Sequence, residues 1–152
     1  MTEVPRFLLD TNIVSLLDER RHQKAPGLIA WMERNGAFLY LSAITITEME
    51  AGILKLKRED KYRRAAGLTT LLETILADFG DRVLPMDSLV ALTVARLADR
   101  ARPSVVELAD LIVAATAERY GLLLLTANVK HFVHLGIALA NPLEKLPPDV
   151  IG

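Results

Sequence analysis

Short apolar runs recur along this chain, separated by longer segments whose apolar residues fall at helical spacing. The runs are Arg6–Leu9, Ala37–Leu41, Arg82–Leu84, Leu122–Leu125 and Gly136–Leu139. Segments so short, bounded by residues such as Pro85 and Gly121, read as strands. The intervening patterns read as helices: Ile46, Met49, Ile53, Leu54; then Leu68, Leu71, Leu72, Ile75, Leu76; then Leu89, Leu92, Leu97; then Leu108, Leu111, Ile112, Ala115. Strands that alternate with helices are joined by crossovers, which makes a parallel sheet. The runs are apolar throughout, as in a sheet covered on both faces. The expectation is a three-layer α/β/α sandwich around a small sheet of four or five parallel strands. A length of 152 residues suits one domain over 1–152, with an irregular tail from about residue 141, where Pro142, Pro147 and Pro148 gather.

Composition removes several function classes. With no cysteine there is no disulfide scaffold, thiolate metal site or cysteine nucleophile. A hydrophobic content of 51% excludes a disordered chain. The glycine pattern of a dinucleotide-binding turn does not follow the first strand. The N-terminus lacks a basic start and a long apolar region, and the richest apolar stretches fall far short of the ~20 residues that span a bilayer. A cytoplasmic protein without a membrane partner is expected. The net charge of −1 argues against bulk electrostatic capture of nucleic acid. It is unevenly spread, however. Lys55, Lys57, Arg58, Lys61, Arg63 and Arg64 crowd one segment together with Tyr62, and Arg20, Arg21 and Lys24 form a second basic patch. Either is a candidate RNA surface or an ordinary solvated helix face.

In an open parallel sheet, ligands bind beyond the carboxyl ends of the strands. Asp10 directly follows the first strand. Glu48 lies in the first turns of the helix that leaves the second. Asp110 is near the start of the helix that returns to the fourth, so it reaches the same edge. Thr126 and Asn128 follow that fourth strand. Helix capping is an alternative for most of them. Asp10, Thr11 and Asn12 all cap well, Thr45–Glu48 and Ser104–Glu107 have capping-box spacing, and Asn128 suits the start of a short helix. Asp110 resists that reading. It sits amid Leu108, Ala109, Leu111, Ile112 and Val113, with no Lys or Arg between Arg102 and Arg119. An unpaired buried charge costs several kcal/mol. A divalent cation shared by Asp10, Glu48 and Asp110 is the economical partner, and oxygen ligands favour Mg²⁺ or Mn²⁺. A cation of that kind serves phosphodiester hydrolysis. His22, His131 and His134 are expected to have surface roles.

Four blocks carry a family resemblance: FLLDTNIVS (Phe7–Ser15), LSAITITEMEAGI (Leu41–Ile53), ADLIVAATAERYGLLLLTAN (Ala109–Asn128) and HF (His131–Phe132). Together they resemble the PIN-domain family and, within it, VapC-type toxins of toxin–antitoxin pairs. The resemblance implies a PIN-like fold and a Mg²⁺- or Mn²⁺-dependent endoribonuclease. It also implies homodimerisation and inhibition by a cognate antitoxin. By position, Asp10, Glu48 and Asp110 are similar to the family's metal-binding acids. Asn128 stands at its fourth catalytic position, Asn12 resembles the residue that orients the first Asp, and Thr126 the neighbouring hydroxyl. The amide at Asn128 puts a tightly held second metal in doubt. The alternative is a catalytically weak PIN-like module that binds RNA or protein. Phosphotransfer domains fit less well, because no second acid adjoins Asp10 and position 12 is Asn.

Overall fold

The computed structural model of the chain describes residues 4–150, apart from the side chains of Glu19 and His22. The end residues 1–3 and 151–152 of the expected domain, and the expected role of His22, lie outside the described residues. The elements are β1 (Phe7–Leu9), α1 (Thr11–Val14), α2 (Pro26–Arg34), β2 (Leu39–Ser42), α3 (Ala43–Arg58), α4 (Tyr62–Phe79), β3 (Val83–Leu84), α5 (Ser88–Ala101), α6 (Leu108–Tyr120), β4 (Leu123–Leu125) and β5 (Leu139–Ala140). Every strand pairing is parallel, and the strand order is β3-β2-β1-β4-β5. The chain builds outward from β1 to β3, then crosses back and continues on the other side with β4. The direction of winding therefore reverses between β1 and β4, and the polar residues that follow these two strands meet there.

The sheet separates two cores. Phe7 and Leu9 of β1 pack toward α1–α4, with Ile13, Trp31, Leu41, Ile53, Leu72 and Ile75. Leu8, between them, faces α5 and α6, with Val90, Leu97, Ile112, Val113 and Leu124. Neighbouring side chains on a strand point to opposite faces, so a strand covered on both sides must be apolar at every position. The three expected layers are present. In α6 every residue from Leu111 to Ala117 is buried, and its alanines let the helix approach the sheet closely. Gly121 ends it with φ 66°, in the left-handed region, and the chain turns directly into β4.

Some boundaries differ from the sequence reading. Gly36–Phe38 is a 3-10 turn, so the second strand starts at Leu39 rather than Ala37. The fifth run pairs only at Leu139 and Ala140, because Gly136 takes a left-handed turn (φ 67°) before it. Helix α2 was not anticipated. Pro26 opens it with a preset φ, and Leu28, Ile29, Trp31 and Met32 bury its inner face. The tail after Asn141 is irregular, as expected, yet it is held in place. The Trp31 indole donates to the Pro148 carbonyl, the Asn35 amide donates to Asp149 at 3.0 Å, and Val150 N donates back to Asn35 Oδ1 at 2.8 Å. Among the described residues, no helix is long and apolar enough to cross a membrane.

Candidate active site

Asp10 is the first residue past β1 and is 5% exposed. Its backbone N donates to Leu125 O, which ties it to the end of β4. The carboxylate is held by neutral donors. Thr11 N donates to Oδ1 at 2.9 Å, and Asp10 is thereby the N-cap of α1. Thr126 Oγ1 and Asn12 Nδ2 donate to Oδ2 at 2.8 and 3.1 Å. Capping and orientation are thus the same interaction here. Asn12 completes the bracket by accepting from Ala127 N at 3.0 Å, and the fully buried Thr126 accepts from Asn128 N at 3.0 Å. Asn12 and Thr126, the two positions expected beside Asp10, both hydrogen-bond its carboxylate. Among the described residues no Lys or Arg pairs with it.

Glu48 is exposed on the second turn of α3, and Thr11 Oγ1 donates to its Oε1 at 2.6 Å. Thr45, the supposed capping residue, is fully buried inside the helix. The helix starts earlier than the capping-box spacing suggested, and Ser42 caps it by accepting from Ile44 N. The second expected box fails in the opposite sense. Helix α6 starts at Leu108 with Glu107 as its N-cap and no side-chain capping bond. The cause is the same in both cases: spacing alone does not set where the preceding strand or loop ends. Asn128 is exposed at the same edge and precedes a 3-10 turn, which its side chain does not cap.

Asp110 lies in the first turn of α6 with its side chain 22% exposed. Burial is the main cause that pushes its carboxyl above the usual range, and the charges of Asp10 and Glu107 add to it. His131 Nδ1 stands 3.3 Å from its Oδ2 and acts in the opposite direction. His131 is exposed, in keeping with a place on the surface, and the turn after β4 also brings it against Asp110 on α6. The only sequence signal was its place in the HF block. His134 lines the same open cavity of about 290 Å³ as Asp110, Lys130 and His131.

Asp10 and Asp110 are therefore within electrostatic reach of each other at the winding reversal, while Glu48 is turned onto Thr11. Among the described residues, no three carboxylate or imidazole groups are gathered closely enough to enclose a metal ion. The donor chemistry is all oxygen, which suits a hard divalent cation.

The basic runs are placed as follows. Lys55, Lys57 and Arg58 occupy the exposed last turns of α3, and Lys61 the link to α4, where it pairs with Glu59. Arg64 is not a free cation. It pairs with Asp18 at 2.6 Å in a partly buried contact. The fold brings Arg20 to the same cavity as Arg63 and Arg64, joining the two basic patches, and Arg21 is exposed beside them in sequence.

Residues 7–137 match the family described as PIN domain. The chain is 33% identical to toxin FitB of Neisseria gonorrhoeae over 143 residues, covering 90% of this chain and 97% of that one. It is 32% identical to the VapC ribonuclease Y4jK of Sinorhizobium fredii over 141 residues, covering 91% and 98%. The crystal structure of FitAcB from Neisseria gonorrhoeae superposes with a TM-score of 0.75 at 31% identity, covering 90% and 97% of the two chains.

Proposed function

The chain belongs to the PIN-domain family, and on that premise we propose that it is a divalent-metal-dependent endoribonuclease, the toxin of a toxin–antitoxin pair. One observation supports it above the others. Asp10 and Asp110 meet at the carboxyl edge of the sheet, where the fold supplies Asp10 with neutral donors only. The charge of Asp10 disfavours the charged form of Asp110. A cation relieves that repulsion. The names of the relatives, a toxin and a ribonuclease, support the same reading.

Asp10, Glu48 and Asp110 would hold Mg²⁺ or Mn²⁺, with Asn128 as a neutral contact beside them. When bound, the ion supplies Lewis-acid stabilisation of a phosphoryl oxygen and lowers the pKa of water. The protein's own share is orientation. Asn12 and Thr126 lock the Asp10 carboxylate and His131 steadies Asp110, while Glu48, held by the Thr11 hydroxyl, would turn toward them to join the ion. Such supporting contacts fix ligand geometry before substrate arrives. A cytoplasmic location, a homodimer and a cognate antitoxin follow from the same family reading.

The test is cleavage of single-stranded RNA by the purified chain. Cleavage is expected with Mg²⁺ or Mn²⁺, and not in EDTA or with Asp10→Asn. Undiminished cleavage in EDTA, or by Asp10→Asn at the wild-type rate, would overturn the proposal.

A further inference from the structure

A cavity of about 450 Å³ opens between α4 and the loop after α1, bordered by Asp18, Arg20, Arg63, Arg64, Gly67 and Leu71. It is lined by three arginines and one aspartate, so it is cationic. The single carboxylate is already consumed. Asp18 accepts from Arg64 and from the backbone of Arg20, and these bonds outweigh its burial and hold its carboxyl below the ordinary value. The pair also fixes the loop that carries Arg20 against α4. The side chains of Arg20 and Arg63 make no ion pair or hydrogen bond among the described residues. Both are exposed at the cavity.

The cavity has a neighbour on the side of Glu48. A smaller groove runs along α3 and α4, lined by Thr11, Ser15, Glu48, Gly52 and Leu68, and it shares Leu71 with the basic cavity. Two glycines keep this path open. Gly52 and Gly67 stand inside α3 and α4, where glycine is a poor helix former. A Cβ added at either meets nothing within 4 Å. The groove at Glu48 and the cavity at Arg63 are thus neighbours that share Leu71 at their border.

We propose that Arg20 and Arg63 form a phosphate-binding subsite that grips the RNA backbone to one side of the bond cut at the acidic edge. The proposal rests on the reading of RNA as substrate. An arginine fork matches phosphate geometry, and the pair Asp18–Arg64 is the brace that presents it. An acidic segment of a protein would also find the arginines, but the neighbouring groove that Glu48 lines favours a chain that reaches both places.

The experiment is binding of a short fluorescent single-stranded RNA in EDTA, measured against salt concentration. EDTA separates binding from hydrolysis. Arg20→Ala and Arg63→Ala are each expected to weaken binding roughly fivefold and to reduce the slope of log K against log salt by about 0.7. Arg96→Ala, on α5 and likewise unpaired, is the control and is expected to bind like wild type. Gly67→Glu adds a carboxylate where there is room for it and favours the helix, so it is expected to weaken binding without lowering Tm. Wild-type binding by both arginine variants, or an equal loss in Arg96→Ala, overturns the subsite. Cleavage in Mg²⁺ is scored separately. RNA that binds through these arginines but is not cut leaves the subsite standing and overturns the hydrolase. RNA that is cut while the variants bind normally does the reverse.

Discussion

Asp18 and Asp110 are both partly buried aspartates, with side chains 11% and 22% exposed, yet they titrate in opposite directions. Burial pushes both upward. At Asp18 hydrogen bonds from Arg64 and the Arg20 backbone, with the charges of Arg64 and Arg21, reverse the effect. At Asp110 the nearby charges of Asp10 and Glu107 reinforce it. The difference lies in what each region is for. Where a carboxylate serves architecture, the fold supplies an arginine. At the sheet edge hydroxyl, amide and imidazole groups contact the acids, and no Lys or Arg among the described residues pairs with Asp10. An edge arranged in this way would retain the affinity for an outside cation that the proposed function requires.

The comparison can be broken most forcefully at Thr126. Thr126→Val keeps the shape but removes the 2.8 Å donor to Asp10. Loss of such a supporting contact is expected to lower RNA cleavage about 10–100-fold. It should also cost about 1–3 kcal/mol in urea unfolding, because a buried carboxylate oxygen loses a partner. Unchanged cleavage would show that Asp10 needs no orienting. A smaller effect is expected at Asp18→Asn, which leaves Arg64 without its counter-charge. With both groups partly in water, about 1–2 kcal/mol is expected, again by urea unfolding. Acid should have the same effect on the wild type. The folded-state value of Asp18 is depressed, so its stabilisation is present above the ordinary carboxylate value and is lost as pH falls through the depressed one. Asp18→Asn should flatten that acid limb.

The smallest effect has the opposite sign. The value of Asp110 is raised in the folded state, so its charged form disfavours the metal-free fold at neutral pH. Asp110→Asn is expected to raise the Tm of the metal-free protein modestly while abolishing cleavage. A fall in Tm would mean that His131 more than compensates Asp110, and the contrast with Asp18 would disappear.

Much of this was legible in the sequence because burial on two faces leaves no room for polar residues. Five apolar runs marked five strands, and Asp110 was conspicuous as an acid on an apolar helix. Asp10 is legible as a polar group at a strand end, while the supporting roles of Asn12 and Thr126 are implied by the resemblance to the PIN-domain family. What escaped notice depended on contacts between distant segments. The amphipathic face of α2 is short and opens on Pro-Gly, so its pattern is weak in the sequence, and it is the burial of Trp31 and Met32 in the core that makes it a helix. The two capping boxes failed because strand and loop lengths, not local spacing, decide where α3 and α6 begin. The pairing of His131 with Asp110 spans a strand and a turn, and that of Arg64 with Asp18 spans two helices and a strand. Neither is encoded in a local pattern.

On the proposed function the acidic edge, and not the arginine-braced aspartate, would take the divalent cation. Calorimetric titration of Mn²⁺ into the wild type, Asp10→Asn and Asp18→Asn tests it directly. The account predicts that Asp10→Asn abolishes Mn²⁺ binding while Asp18→Asn leaves it as in the wild type. Wild-type binding by Asp10→Asn would contradict it.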